Sequence, residues 1–266
     1  MKIDFHSHAK LAKYLPFSEN YTDWLFDYAL KSGLDALCVT EHFNTSEFAK
    51  VYNYIYVNSK VQNDVLIYKN GLKIFAGMET DVKEGGHILC IGRIKDILEL
   101  NDRLKDHKDP ENFLPFHDLM TLFADYDLLI GNAHPFRSGG HVPTCDLEDL
   151  EKLFFIDLNG KDIAADQKKC QKLTYDYAKR LNKPVVAGSD THQALQYACV
   201  YNDLKVDVDT LAGLKEALLK KAYQIVIDDN VCFKVEAAAL LKKCLKQIDA
   251  LGGDYVQMLV DRDKEM

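Results

Sequence analysis

Lys2-Ile3-Asp4-Phe5-His6-Ser7-His8 opens the chain with an alternating apolar run that ends in two histidines two positions apart. In an extended strand residues i and i+2 share a face, so both imidazoles can reach one ion. On its own an H-x-H pair is weak evidence, and two packed or solvated histidines would explain it equally well. The rest of the chain repeats the arrangement. Leu37-Cys38-Val39-Thr40-Glu41-His42 is an apolar run closed by an acid and an imidazole, and Ile74-Phe75-Ala76-Gly77-Met78-Glu79 ends in a carboxylate. Gly85-Gly86-His87 then opens a further strand, Leu128 to Ala133 leads into His134-Pro135-Phe136-Arg137, and Pro184 to Ser189 leads into Asp190-Thr191-His192. Five strand ends carry the same ligand chemistry. In parallel α/β barrels functional groups gather at the C-terminal ends of the strands, so these distant residues are expected to converge on one site.

Short β-branched and apolar runs alternate with helical segments, which predicts repeated β-α units. Strands are expected near 2–5, 35–40, 73–77, 87–91, 127–132, 153–158, 184–188 and 223–227. Helices are expected over Asn20–Lys31, Ser46–Ile67 and Asp166–Leu181. The charged stretch from Asn101 to His117, with Pro110 and Pro115, reads as a surface excursion, either a lid or a plain loop. After Asp229 the pattern becomes helical, and Val235, Ala238, Leu241, Leu245 and Ile248 form an apolar stripe expected to pack on the core. The chain therefore divides into a catalytic domain over 1–228 and a C-terminal helical extension over 229–266.

Bulk properties narrow the function. A chain of 266 residues can form one α/β barrel, and 28% charged residues with no long uncharged apolar stretch exclude a membrane span. The N-terminus lacks the apolar run of a secretory signal, and seven cysteines without a C-x-x-C pair predict reduced thiols, mostly buried, so a cytoplasmic location is expected. A net charge of −8 argues against a large interface with a nucleic-acid backbone, while metal cations could still supply a positive field for one small anion. Imidazole and carboxylate donors suit Zn²⁺, Mn²⁺ or Fe. No nucleophile competes: Ser189 lacks a G-x-S-x-G elbow, and the cysteines lack an activating arrangement.

As a set, His6-Ser7-His8, Thr40-Glu41-His42, Gly77-Met78-Glu79, Gly86-His87, Ala133-His134-Pro135 and Gly188 to His192 resemble the PHP (polymerase and histidinol phosphatase) family over roughly residues 1–200. The resemblance implies a distorted (β/α)7 TIM-like barrel with a metal site at the C-terminal ends of the strands, and two or three divalent ions. It implies that His6, His8, Glu79 and Asp190 hold one ion, that Glu79 bridges to a second held with His87 and His134, and that His42 and His192 serve a third. Glu41 is expected to orient a ligand, and Asn159 to be structural. Asp190, His192 and Arg137 are the expected catalytic residues, with His192 or a metal-bound water as acid and Arg137 as either a phosphate clamp or a structural salt bridge. One departure stands out. Where the family places another ligand after the first pair, residues 9–15 offer none, so the third site is expected to be the weakest, with Lys10 or Lys13 either contacting phosphate or simply solvated. His107, His117 and His141 are expected to be solvated. The implied activity is hydrolysis of a small phosphate ester by metal-activated water. The alternatives are a nuclease acting on nucleic-acid ends or a non-catalytic metal-binding regulatory module.

Overall fold

The structure is a computed structural model describing residues 1–265. Its first half runs β1 (Lys2–Ser7), α1 (Glu19–Lys31), β2 (Ala36–Val39), α2 (Phe48–Val57), β3 (Ser59–Gln62), β4 (Val65–Tyr68), β5 (Lys73–Asp81), β6 (His87–Ile91), α3 (Ile94–Arg103) and α4 (Phe116–Phe123). The second half runs β7 (Leu129–Ala133), α5 (Leu147–Leu150), β8 (Phe155–Asn159), α6 (Gly160–Leu181), β9 (Val185–Gly188), β10 (Val200–Leu204), α7 (Leu211–Leu219), β11 (Tyr223–Ile227), α8 (Val231–Ala250) and α9 (Tyr255–Glu265).

Seven strands wrap into a nearly closed barrel in the order β1-β2-β5-β6-β7-β8-β9. Closure comes from the chain just beyond β9: Asp190 N donates to His6 O at 2.7 Å and His8 N to Thr191 O at 3.0 Å. Lower down, β1 instead pairs antiparallel with β10, Lys2 opposite Asp203 and Ile3 opposite Asn202. The wedge left between β1 and β9 is filled by the amide of Asn202. It accepts from Ala187 N at 2.9 Å and donates to Ala187 O at 2.8 Å and Ile3 O at 3.1 Å, as a peptide group of a neighbouring strand would. Asp4 sits at the same seam, its Oδ1 accepting from His6 N and Ser189 N, each at 3.0 Å.

Burial pushes the Asp4 carboxyl up from 3.8 to about 6, against the pull of those hydrogen bonds. Because the folded state holds this proton more tightly than the unfolded chain, stability falls as pH rises from about 4 through about 6 and stays lower above. Asp4→Asn in metal-free protein is therefore expected to raise stability at pH 8 by up to roughly 3 kcal/mol, the advantage vanishing near pH 4. Chemical denaturation at the two pH values checks it; a variant less stable than wild type at pH 8 would show that the carboxylate is accommodated as a charge.

Five barrel strands run parallel to β1, but β6 is antiparallel to both β5 and β7. The barrel interior is filled by Ile3, Phe5, Phe75, Leu89, Leu129 and Phe155. Gly131 leaves room for the last of these, since a Cβ there would lie 2.1 Å from the Phe155 ring. The expected helix over Ser46–Ile67 is half right. It stops at Val57, and Asn63, with φ +56°, turns the chain into the β3-β4 hairpin, which extends the sheet beside β5. The stretch from Asn101 to His117 is not a free loop: Asn101 donates to Phe43 O at 2.6 Å and Lys108 to the Asn101 side chain at 2.9 Å, tying it to the segment after β2.

The C-terminal extension is packed on the barrel. Val231, Leu245 and Tyr255 belong to the same buried cluster as α1 and the outer faces of the strands, and Val235, Leu241 and Ile248 lean on it. Among the described residues no helix is long and apolar enough to cross a membrane. All seven cysteines are free; Cys38, Cys90 and Cys199 are buried, while Cys232 and Cys244 are exposed on α8, contrary to the expectation of mostly apolar surroundings.

Candidate metal centre

The strand directions explain how eight ligand candidates meet at one end of the barrel. β1 delivers His6 and, just past its end, His8; β2 leads into Glu41 and His42; Glu79 lies near the end of β5; His134 follows β7; and Asp190 and His192 follow β9. His87 is the exception to the expected C-terminal placement. It is the first residue of β6, and because β6 is reversed, its beginning lies opposite Ala133 and Asp81 at the same rim. His134 and Asp190 both adopt left-handed backbone, φ +27° and +55°. Such conformations cost on the order of 1–3 kcal/mol and persist where the surroundings impose them. Here they turn two side chains inward at the ends of their strands.

Three groups of ligand atoms are close enough to share an ion: His6 with His8 and Asp190; Glu79 with His87 and His134; and His8 with His42 and His192. His8 thus serves two groups, which the family-implied partition into three sets does not include. Glu79 is the hub. Its Oε1 lies 2.6 Å from His87 Nδ1 and 3.1 Å from His134 Nε2, and its Oε2 lies 2.8 Å from His42 Nδ1, 3.4 Å from His6 Nε2 and 3.5 Å from His8 Nε2. His6 Nε2 and both nitrogens of His8 are buried without a hydrogen-bond partner, and His42 Nδ1 and Glu79 Oε2 approach each other without hydrogen-bond geometry and have no other hydrogen-bond partner. Leaving that many polar atoms unsatisfied would cost several kcal/mol, and divalent cations are what this donor set fits.

Outer contacts fix which nitrogen faces inward. Asp157 Oδ2 lies 3.1 Å from His6 Nδ1, so His6 Nε2 carries the free lone pair; the same oxygen accepts from His134 N at 3.2 Å and Asn159 Nδ2 at 3.1 Å. His192 Nδ1 must donate to Lys10 O at 2.9 Å, a carbonyl having no proton to give, which leaves His192 Nε2 as acceptor. Tyr21 holds the His192 carbonyl through its hydroxyl at 2.6 Å, and its ring packs edge-on against Tyr255 of α9. Asp157→Asn is expected to weaken metal binding by about 10–100-fold, because outer partners of ligating histidines typically carry that much. Competitive titration with a chelating dye checks it; unchanged affinity would mean that Asp157 only shapes the fold.

Charge is finely opposed at this rim. Burial raises the Glu79 carboxyl, but His42, His87 and His6 together hold it well below the ordinary range. Asp190 likewise is raised by burial and pulled far lower by Lys161, His6 and Arg137. Burial works against a charged His87, yet Glu79 and Asp81 lift it to about 10, while burial pushes His42 down to about 4 and His192 well below 6.5. Arg137 donates to Asp190 Oδ2 at 2.8 Å, Asn159 Oδ1 at 2.8 Å and Asp162 Oδ1 at 3.1 Å. It is engaged on three sides as an orienting cation. Lys161 lies 3.0 Å from the other Asp190 oxygen.

Lys10, considered as a phosphate contact or a solvated side chain, is neither. It is 2% exposed and donates to Ser46 O at 2.6 Å and Ser46 Oγ at 2.8 Å, stapling the segment after β1 to the one before α2. Lys13 pairs with Asp81 Oδ2 at 3.2 Å, whose Oδ1 lies 3.0 Å from His87 Nε2. His141 is exposed, while His107 faces Asn112 O and His117 faces Asp149, and none of the three belongs to a group that could hold an ion. The sequence reading missed Asp157, Asp81 and Lys161. Asp157 had a legible mark, a carboxylate inside the apolar run from Phe154 to Leu158; the other two had none.

Residues 172–223 match a family model described as PHP-associated. That match covers about a fifth of the chain and is a likeness to the PHP-associated model over that segment. A sequence search of curated proteins finds no match. Among solved structures it is similar to PsfC from Pseudomonas syringae PB-5123, with 19% identity and a TM-score of 0.74 over 92% of this chain and 98% of that one. It is also similar to the lesion-specific endonuclease PfuEndoQ from Pyrococcus furiosus, with 18% identity and a TM-score of 0.59 over 84% of this chain and 57% of that one. Endonuclease Q in complex with a 27-mer duplex carrying an abasic lesion gives the same identity and TM-score over 82% and 56%. The chain thus spans little more than half of the endonuclease, and at these identities the likeness is one of fold.

Proposed function

We propose that this chain is a PHP-family, metal-dependent phosphoesterase that hydrolyses a small phosphate ester in a reducing, cytoplasmic setting. The observation that supports it is the set of buried, partnerless histidine and Glu79 atoms converging at one rim of the barrel. His6, His8, Glu79 and Asp190 would hold one divalent ion, Zn²⁺, Mn²⁺ or Fe, and Glu79, His87 and His134 a second. His42 and His192, with His8, would form a weaker third site, since that group has no carboxylate of its own. Ions held there supply Lewis acidity toward a phosphoryl group and lower the pKa of a water. The chain's own residues do the rest: Asp157 holds the His6 tautomer, Arg137 and Lys161 orient Asp190, and the strand ends exclude bulk water. His192, neutral and presenting a lone pair, fits a ligand better than a leaving-group acid. Arg137 keeps two N–H groups beyond its three partners for a phosphate oxygen.

The test is metal analysis of protein purified without chelator, followed by a screen of sugar phosphates, nucleotides and histidinol phosphate with added Mn²⁺ or Zn²⁺. Turnover that EDTA abolishes and a divalent ion restores is expected. Chelator-resistant turnover overturns the reading. A duplex with an abasic lesion belongs in the same screen because of the endonuclease likeness; incision faster than hydrolysis of every small ester would make the chain a nuclease, against the expectation from its net charge.

A further inference from the structure

A row of ammonium groups leads away from the metal centre onto the C-terminal extension. Lys161, at the start of α6, pairs with Asp190. Beyond it Lys242, on α8, is half-buried yet makes no hydrogen bond or ion pair with another described residue. Lys242 also lines a concavity with Lys243, Lys246, Gln247 and Tyr14. Lys246 Nζ sits 5.1 Å from the centre of the Tyr14 ring, and Tyr14 is 62% exposed, so the concavity opens to solvent beside the loop that follows β1. Lys242 and Lys246 are one helical turn apart, where like charges repel. Burial and the neighbouring Lys161 push the Lys242 amine down to about 8, while Asp190 and Glu41 at the centre pull the other way. An acidic chain thus places Lys242 and Lys246, neither with a hydrogen-bond or ion-pair partner among the described residues, beside its candidate metal centre.

We propose that Lys242 and Lys246 form a subsite for a second anionic group of the substrate. The preferred ester then carries a carboxylate or a further phosphate beside the phosphoryl group at the metal centre. This rests on the phosphoesterase reading and adds a substrate class to it. The C-terminal extension, in this account, selects the substrate, and the barrel supplies the chemistry.

Two non-hydrolysable probes separate the ideas. Methylphosphonate offers one anionic group and 3-phosphonopropionate offers two, and calorimetric titration of the metal-loaded protein measures both without turnover. Wild type is expected to bind the second about tenfold more tightly, within what charge-assisted hydrogen bonds contribute. Lys242→Gln/Lys246→Gln is expected to erase most of that preference, with metal content and circular dichroism unchanged. Propylene-1,3-bisphosphonate in parallel tells whether the subsite favours a carboxylate or a second phosphonate; a preference lost in the variant supports the proposal for either. Methylphosphonate binding with no wild-type preference for the dianions, or a preference that survives the double substitution, overturns the subsite alone. If neither phosphonate binds, the phosphoesterase reading falls and the subsite falls with it.

Discussion

Glu79→Gln is expected to abolish hydrolysis, by at least about 100-fold, and to reduce bound metal to about one ion per chain or fewer. One carboxylate is within reach of five imidazoles: His87 and His134 through one oxygen, and His42, His6 and His8 through the other. Glutamine preserves the volume but removes the charge and replaces one acceptor oxygen with an amide NH₂ that can only donate, so both groups of ligands lose their common anion. Loss of an outer-shell partner alone costs about 10–100-fold, and a shared ligand should exceed that range. His87 also loses the larger of the two charges that lift it to about 10, Asp81 remaining, and its imidazole should then titrate lower. Elemental analysis and steady-state rates, together with histidine NMR titration of the metal-free protein, check the prediction. A Gln variant with full metal content and normal turnover would remove Glu79 from the centre.

Gly188→Ala should be nearly as damaging, although Gly188 offers no ligand. A Cβ there would lie 2.4 Å from His6 Cβ and 2.8 Å from Asp157 Oδ1, at the seam where β9 closes onto β1. His6 cannot yield, because its ring is held by Asp157 and its carbonyl accepts from Asp190 N. The added methyl must therefore push the two strands apart, at a cost of about 1–3 kcal/mol for overpacking. The same movement separates His6 from Asp190. Thermal denaturation with and without metal distinguishes this from a local defect: the variant should be destabilised in both states and should gain much less from added metal than wild type. Wild-type metal stabilisation in Gly188→Ala would show that the seam opens without disturbing the ligands.

The ligand residues were legible because alternation places side chains on a known face and because five apolar runs ended in the same chemistry. Strand direction was not. Nothing in Gly85-Gly86-His87 says that the strand it begins runs backwards, and only the reversed pairing of β6 explains why a residue at a strand's start joins residues at other strands' ends. The β3-β4 hairpin was hidden because Val61 and Val65 are four apart, a helical spacing, while the turn depends on one asparagine in the left-handed region. β10 was overlooked because its pattern is interrupted by Asn202 and Asp203, and Asn202 has a purpose only once β1 and β9 diverge around it. Asp81 and Lys161 matter through partners that the fold brings to them, His87 and Lys13 for one and Asp190 for the other.

The reversal of β6 also bears on how the protein comes together. Glu79 and His87 sit on one hairpin eight residues apart, so most of one ligand group can form from local contacts as soon as that segment folds. The group built on His6, His8 and Asp190 joins the first barrel strand to the segment just after the last barrel strand and waits for contacts across more than 180 residues, the slow class of contact in folding. Nascent chains refolding in the presence of a divalent ion should therefore capture it at the hairpin well before the barrel closes, and the order in which the centre fills should record the order in which the chain folds.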